Sequence, residues 1–492
     1  MKAAVLENYG DAEQFELKEI AVPQIKEGEI LVRNRASSIN PVDTLVRQGK
    51  LKMLSGFTSG QVIGSDFSGT VIASKSTRFK PGDEVFGQLD ATKGGAYSEL
   101  LVADEDCAAL KPSNISFTEA ASLPLVALTA FQGIVYDGKI RQGAKVLILG
   151  CTGGVGTAAV QIAKSFDAQV TGTCSEAHVE FAKSLGCDKV INYEKERVSS
   201  NEVFDLIFDC SGNYTIADYE TNLSPDALFV STRGGAKDTT GAAKAAISVL
   251  LERRMKIVKE RPNTADLMII KDLVELGQLK PYVAHTFPLE EIREAHRFME
   301  NESLTGKVAI EIRNDGSPAI DNYLQNQQQN RQDKNYVREI LATGFIAGMR
   351  SLSAPVVARK LFLNIAGNQL HSSRLRFLQS PAVSMGLKAL AATEFLGDKM
   401  PAAPARIQPL SLGMRAMSGA ISSAAVAKKT KHNTYVGAVL GGAAAVLATY
   451  GMYYLRTRIA KRTKLPDFIL GLAEDALVVA AGAGLSKTTR NK

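Results

Sequence analysis

Apolar and polar positions change rhythm three times along the chain. Over residues 1–120 the apolar positions come in short runs, some alternating, between turn signals. Residues 29–34 (EILVRN) and 69–73 (GTVIA) read as strands, and Gly28-Glu29, Lys80-Pro81-Gly82-Asp83 and Gly94-Gly95 read as turns. From 121 to 313 short buried strands alternate with helical runs. Residues 146–149 predict a buried strand, 158–163 a helix, 169–173 (QVTGT) a second strand and 205–212 (DLIFDCSG) a strand entering a turn. Residues 287–292 predict the start of a late helix, and 306–310 a returning strand. Residues 314–335, with NYLQNQQQN at their centre, bury little apolar surface and predict a flexible linker.

Beyond 336 the chain turns to Ala, Gly, Leu and Val with basic punctuation. Residues 433–455 carry no charge and as a helix span about 35 Å, enough to cross a bilayer. Weaker candidate spans are 339–358, 382–396, 410–427 and 468–485. Tyr435, Tyr450, Tyr453 and Tyr454 suit interfacial depth, and Gly437 and Gly441 allow close helix packing.

Charge sharpens the division. From Tyr336 onward there are 21 Lys+Arg against 6 Asp+Glu, whereas the preceding part has 37 against 45. A basic, apolar C-terminal part suits anionic lipid better than nucleic acid, because its charges flank apolar runs rather than line a polar face. The five cysteines, Cys107, Cys151, Cys174, Cys187 and Cys210, form no CxxC and suggest neither a disulfide frame nor a cysteine zinc site. The opening MKAAVLENYG lacks a signal-peptide shape and reads as a first strand.

Candidate chemistry gathers at the strand over 146–149. It stops at Gly150, and Gly153, Gly154, Val155 and Gly156 lead into the helix. Glycines let a backbone approach a diphosphate, and free N–H groups at a helix start attract its charge.

Ordered around this turn are Ser37-Ser38-Ile39-Asn40-Pro41-Val42-Asp43, Gly64-Ser65-Asp66-Phe67-Ser68-Gly69, Pro81-Gly82-Asp83-Glu84-Val85 and Gly95-Ala96-Tyr97-Ser98-Glu99. In this order and spacing, residues 1–313 resemble the zinc-free quinone oxidoreductase and enoyl reductase branch of the medium-chain dehydrogenase/reductase superfamily. The resemblance implies an α/β architecture. A GroES-like β-rich catalytic domain (1–120, completed by 285–313) is joined to a Rossmann doubly wound parallel sheet (121–284). The substrate cleft lies between them. It implies NADPH as cofactor, with Asn40 and Thr129 beside the nicotinamide as catalytic residues. The diphosphate falls on Gly153, Gly154, Val155 and Gly156, the 2′-phosphate on Ser175 and His178, and Tyr193 near the adenosine phosphate. Arg233 and Lys307 are further cofactor contacts. No metal is expected, since Ser65-Asp66 stands where zinc-dependent relatives carry a His-Glu pair. Leu45 stands where some quinone reductases carry Tyr, which leaves the acceptor open between a quinone and an α,β-unsaturated carbonyl. Relatives are often dimers, so a homodimer is an expectation.

Gly348-Met349-Arg350-Ser351, residues 394–401, residues 414–420 and Ala473-Glu474-Asp475-Ala476 resemble a family of small polytopic membrane proteins without assigned chemistry. That resemblance implies a helical membrane domain over 336–492 and contact with the lipid bilayer. Arg350, Arg415, Glu394, Asp398, Glu474 and Asp475 are expected to form an internal polar cluster, because ionisable groups at membrane depth must pair or line a cavity. The combined reading is a cytoplasmic NADPH-dependent oxidoreductase tethered to a multi-pass membrane module. The alternative is a transporter, channel or scaffold whose front domain senses NADPH.

Overall fold

The computed structural model describes residues 1–52, 60–233, 253–314, 316–351, 353–363, 378, 380–397, 407–429, 432–463 and 467–488. The chain divides into two compact units, Met1–Leu324 and Gln325–Lys492.

The first unit opens with β1 (Lys2–Leu6), β2 (Phe15–Glu19), β3 (Glu29–Ile39), α1 (Pro41–Arg47), β4 (Gln61–Val62), β5 (Asp66–Ser74), β6 (Glu84–Gln88), β7 (Leu100–Asp104) and β8 (Ala108–Leu110). Helices α2 (Phe117–Ala121) and α3 (Pro124–Phe131) follow. Next come β9 (Lys145–Leu149), α4 (Gly154–Lys164), β10 (Gln169–Cys174), α5 (Val179–Ser184), β11 (Lys189–Asn192), β12 (Phe204–Asp209), β13 (Leu223–Ser231) and β14 (Met255–Ile257). Helix α6 (Thr264–Glu275), β15 (Val283–Pro288), α7 (Ile292–Asn301) and β16 (Lys307–Glu311) complete the series.

Two large sheets result. One runs β15-β16-β3-β5-β6-β8, with β7 also paired to β3. Strand β3 bonds to β5, β7 and β16, which explains why it is mostly buried along its length. The other sheet is parallel, in the order β11-β10-β9-β12-β13-β14. Its chain path reverses between β9 and β12, and in such sheets ligands bind outside the strands' carboxyl ends at that point. Val146, Leu147, Ile148 and Leu149 are all buried, as a strand covered on both faces requires.

The late helix begins within 287–292 as expected: β15 runs through Pro288, a 3-10 turn covers Leu289–Glu291, and α7 continues from Ile292. One expectation needs correction. Residues 314–335 are not a flexible linker, because most of them belong to α8 (Pro318–Met349). Pro318 is pre-set for a helix start and glutamine is a fair helix former. Ile320 and Tyr323 pack against Leu31 and Leu100, and the Ser317 hydroxyl donates to Glu99 at 3.0 Å.

The second unit contains the rest of α8, α9 (Ser353–Leu363), α10 (Pro381–Gly397), α11 (Pro409–Lys429), α12 (Thr434–Thr463) and α13 (Asp467–Thr488). Among the described residues, α12 is the one helix long and apolar enough to cross a membrane. The 339–358 candidate is interrupted, since α8 ends at Met349 and α9 begins at Ser353. Small residues bring backbones together here. A Cβ on Gly348 would lie 2.3 Å from the Ala445 carbonyl oxygen, and one on Gly419 would lie 2.6 Å from that of Gly441.

Candidate cofactor and active site

The turn after β9 is held from both sides. Gly150 has φ +76°, and the Cys151 N–H bonds to the Thr173 carbonyl at 3.0 Å. A Cβ on Gly156 would meet the Gly150 carbonyl oxygen at 2.1 Å, so only glycine lets α4 begin so close to its strand. Gly153 differs, because its missing Cβ would meet nothing nearer than that oxygen at 3.9 Å. Open space in front of Gly153 and the first N–H groups of α4 form a cradle that could hold a diphosphate.

The end of the catalytic domain is stitched to this turn. Gly306 donates its N–H to the Thr152 carbonyl at 3.0 Å and bridges Gly153. Gly306 has φ +83°, and a Cβ there would strike the Tyr282 carbonyl oxygen at 2.2 Å. Lys307 follows, its side chain passing 3.0 Å from where a Gly154 Cβ would stand.

Lys307 ends in a buried polar network. Its ammonium donates to the Ile39 carbonyl at 2.7 Å and to the Asn40 side-chain carbonyl, and lies 3.7 Å from Asp66 Oδ2. Asp66 Oδ2 also accepts from Asn40 Nδ2 at 2.8 Å and from the Ser38 hydroxyl at 2.7 Å. Its Oδ1 accepts the Leu125 N–H at 2.9 Å, which docks α3 onto the catalytic domain. Asp43 Oδ2 accepts the Asn40 N–H at 2.8 Å and the Tyr97 hydroxyl at 3.2 Å.

Burial sets the electrostatics. It pushes the Asp43 carboxyl up to about 7, against the Asn40 N–H that pulls it down. It lowers the Lys307 ammonium, against the nearby Asp66 and Asp43 carboxylates. It raises the Tyr97 phenol, as does Asp43 beside it. Asn40, expected at the nicotinamide, is 0 % exposed and has both amide ends bonded inside the protein. Those bonds join it to Asp66 and Lys307. Thr129 lies on α3 and donates its hydroxyl to the Leu125 carbonyl at 2.7 Å, one turn beyond the Asp66 dock.

The end of β10, where the 2′-phosphate is expected, is more open. Ser175 and His178 face each other, Oγ to Nδ1, at 3.4 Å. The Glu176 carboxylate is engaged by Asn192 and by Lys195 at 2.8 Å, which turns it to a neighbour rather than leaving it free for a ribose. Tyr193 is 54 % exposed beside them. Arg233 lies over Gly212, whose Cβ position is 2.6 Å from the Arg233 Cβ. The loop beneath is shaped by buried Asp209, which accepts N–H bonds from Ser211, Gly212 and Tyr214 and a hydroxyl from Ser231. Asp209 and Tyr97 lie in stretches that the sequence singles out, 205–212 and Gly95-Ala96-Tyr97-Ser98-Glu99, but the sequence assigns no role to either.

Family models for the N-terminal domain of oxidoreductases and for zinc-binding dehydrogenases match residues 3–99 and 185–310. A third, a domain of unknown function (DUF4126), matches 339–483. The mitochondrial NAD(P)H oxidoreductase RTN4IP1 of Bos taurus is 33% identical over 353 residues, covering 63% of this chain and 89% of the relative. The chain belongs to the medium-chain dehydrogenase/reductase superfamily. Other members similar to it include the chloroplastic NADPH-dependent alkenal/one oxidoreductase of Arabidopsis thaliana, 32% identical over 63% of this chain and 79% of the relative. Among solved structures, the quinone oxidoreductase from Coxiella burnetii superposes with a TM-score of 0.57 at 28% identity, covering 64% of this chain and 99% of that one. Membership makes this an oxidoreductase using a nicotinamide cofactor, and the glycine cradle fits that group. Zinc, which one matching family's description names, fits poorly. The Lys307 ammonium already stands against Asn40 and Asp66, and a divalent cation there would face it directly.

Proposed function

We propose that the chain is an NADPH-dependent, zinc-independent oxidoreductase that reduces a quinone or an α,β-unsaturated carbonyl and is held at a membrane by its second unit. The observation that carries the catalytic part is the junction of Lys307, Asn40 and Asp66 with the glycine turn. A cation built into the protein sits where the two domains meet, next to the cradle. Bound there, the nicotinamide supplies the hydride. Gly153, Gly154, Val155 and Gly156 hold the diphosphate, Ser175 and His178 the 2′-phosphate, and Tyr193 and Arg233 border the adenosine and ribose. Thr129 and Lys307 flank the nicotinamide end, with Asn40 fixing the ammonium. The proton that completes reduction comes from solvent. The names of the alkenal/one oxidoreductase and quinone oxidoreductase relatives support both acceptor classes.

The membrane part rests on an inverted burial pattern in the second unit. Arg350, Arg415, Glu474 and Asp475 are buried, whereas Met385, Leu410, Val439, Leu447, Leu477 and Val479 are exposed. Water favours the opposite arrangement and a bilayer favours this one.

Stopped-flow mixing of the NADPH-loaded full chain with a quinone and enone panel tests the reading. Single-turnover oxidation by at least one acceptor, unaffected by a strong zinc chelator, is expected. Tight NADPH binding with no turnover across the panel favours the sensing alternative.

A further inference from the structure

The break between α8 and α9 is where the charges of the second unit converge. Arg350, 0 % exposed at the break, donates from Nε to Asp475 Oδ1 of α13 at 2.9 Å, with a second bond from Nη2. Arg415 of α11 donates from Nη1 to the Gly348 and Met349 carbonyls at 2.8 and 2.7 Å, and its Nη2 lies 3.9 Å from Glu394 of α10. Glu394 also accepts the N–H and hydroxyl of Ser351, each at 2.8 Å. Arg456 of α12 lies 3.6 Å from Glu474 of α13. Three guanidiniums thus face three carboxylates. Asp398, expected in the same group, falls outside the described residues.

The pattern G-M-R-x-x-S occurs twice, at Gly348-Met349-Arg350 with Ser353 and at Gly413-Met414-Arg415 with Ser418. Both arginines come to the same break, so the repeat marks the site rather than the helix. The Ser353 hydroxyl there, 6 % exposed, has no hydrogen-bond partner among the described residues. An orphaned hydroxyl beside unwound backbone at membrane depth calls for water or a passing ion.

We propose that this six-charge site carries protons through the membrane unit. The proposal rests on the membrane reading above. Arginine keeps its proton at any ordinary pH, so Glu394, Glu474 and Asp475 are the groups of the set that exchange one. Taking up a proton neutralises a carboxylate that faces a guanidinium, and passing the proton on restores the charge pair. Protons are favoured over larger solutes because α8, α11 and α12 touch backbone to backbone. A Cβ on Gly344 would lie 2.5 Å from the Gly441 carbonyl oxygen, and the Gly348 and Gly419 positions are as tight. Such packing leaves hydrogen-bonded side chains as the route.

The full chain is reconstituted in phosphatidylcholine vesicles with a trapped pH-sensitive dye, and a potassium ionophore balances charge. Internal pH after an external jump should relax at least tenfold faster than in protein-free vesicles. Asp475→Asn and Glu474→Gln should each remove most of that excess, while Asp475→Glu keeps it. Wild-type relaxation no faster than in empty vesicles overturns the proposal, as does unchanged flux in both neutral variants. Helical content and a single sharp elution peak of the full chain in detergent report that each variant's second unit is folded, and Glu474→Gln carries the comparison where Asp475→Asn is not. Flotation of the same vesicles separates the readings. A chain that does not float with lipid overturns the membrane assignment, whereas flotation without excess flux overturns the proton route alone.

Discussion

The Lys307 ammonium and the Asn40 side-chain carbonyl are directly hydrogen-bonded, 267 positions apart in sequence. Around that bond the returning strand, the Asn40 turn and the cofactor cradle become one object. Lys307→Met would leave Asp66 without its cation. Breaking a buried pair from one side costs roughly 3–5 kcal/mol, which lowers the front unit's thermal transition by on the order of 10 °C. Adding Asp66→Asn should recover much of the loss. Calorimetry on the single and double variants checks both statements.

Gly153 and Gly156 should respond differently to alanine. At Gly156 the new methyl meets the Gly150 carbonyl oxygen at 2.1 Å, so the turn itself must distort and the domain destabilise. At Gly153 the methyl meets no protein atom closer than 3.9 Å. Gly153→Ala should therefore melt near the wild-type temperature yet lose NADPH affinity by about tenfold or more, because the methyl takes the space of the diphosphate. Calorimetric titration beside a melting curve distinguishes the two.

The preference for the phosphorylated cofactor should fall with Ser175→Ala. Ser175 and His178 make a small polar notch, while Glu176 is drawn aside by Asn192 and Lys195. Loss of a hydrogen bond to a charged group is worth about 1.5–3 kcal/mol. The ratio of kcat/KM for NADPH over NADH should drop by about tenfold or more while the NADH value holds.

Two buried groups give stability opposite dependences on pH. Asp43, raised to about 7 from 3.8, stabilises fully below pH 4, and that contribution is lost as pH climbs through 7. His296, packed against the Phe15 and Tyr97 rings and lowered by burial to about 3 from 6.5, stabilises fully above 6.5 and loses its contribution as pH falls toward 3. Each is worth on the order of 4 kcal/mol across its window, so in the wild type they largely offset. His296→Phe should expose a stability that declines from pH 4 to 7. Asp43→Asn should expose one that rises over a similar span. Melting temperature against pH for the three proteins is the measurement.

Much of this was legible from residues alone where the signal is local. Residues 146–149 form an uninterrupted apolar run, which a strand buried on both faces needs. The glycines after it mark a tight turn that ordinary loops share, so the flanking motifs, not the turn alone, carry the cofactor expectation. The linker at 314–335 was misread because composition reports how much apolar surface a segment carries, not where it lands. Ile320 and Tyr323 suffice, once Leu31 and Leu100 are beneath them. Asp66 was read only as half of a missing metal pair, since its cation arrives from the far end of the domain. Tyr97 stood in the Gly95–Glu99 motif without a role of its own, because its meaning depends on Asp43 reaching its hydroxyl.

The stitch between Gly306 and Thr152 has a consequence for how the chain is made. A ribosome releases the glycine turn long before it reaches β16, so the nascent nucleotide domain waits with one wall missing. Coenzyme capture should begin only after residue 311 has cleared the exit tunnel. Messages cut short before that point should yield polypeptides that bind the coenzyme more weakly than the full chain.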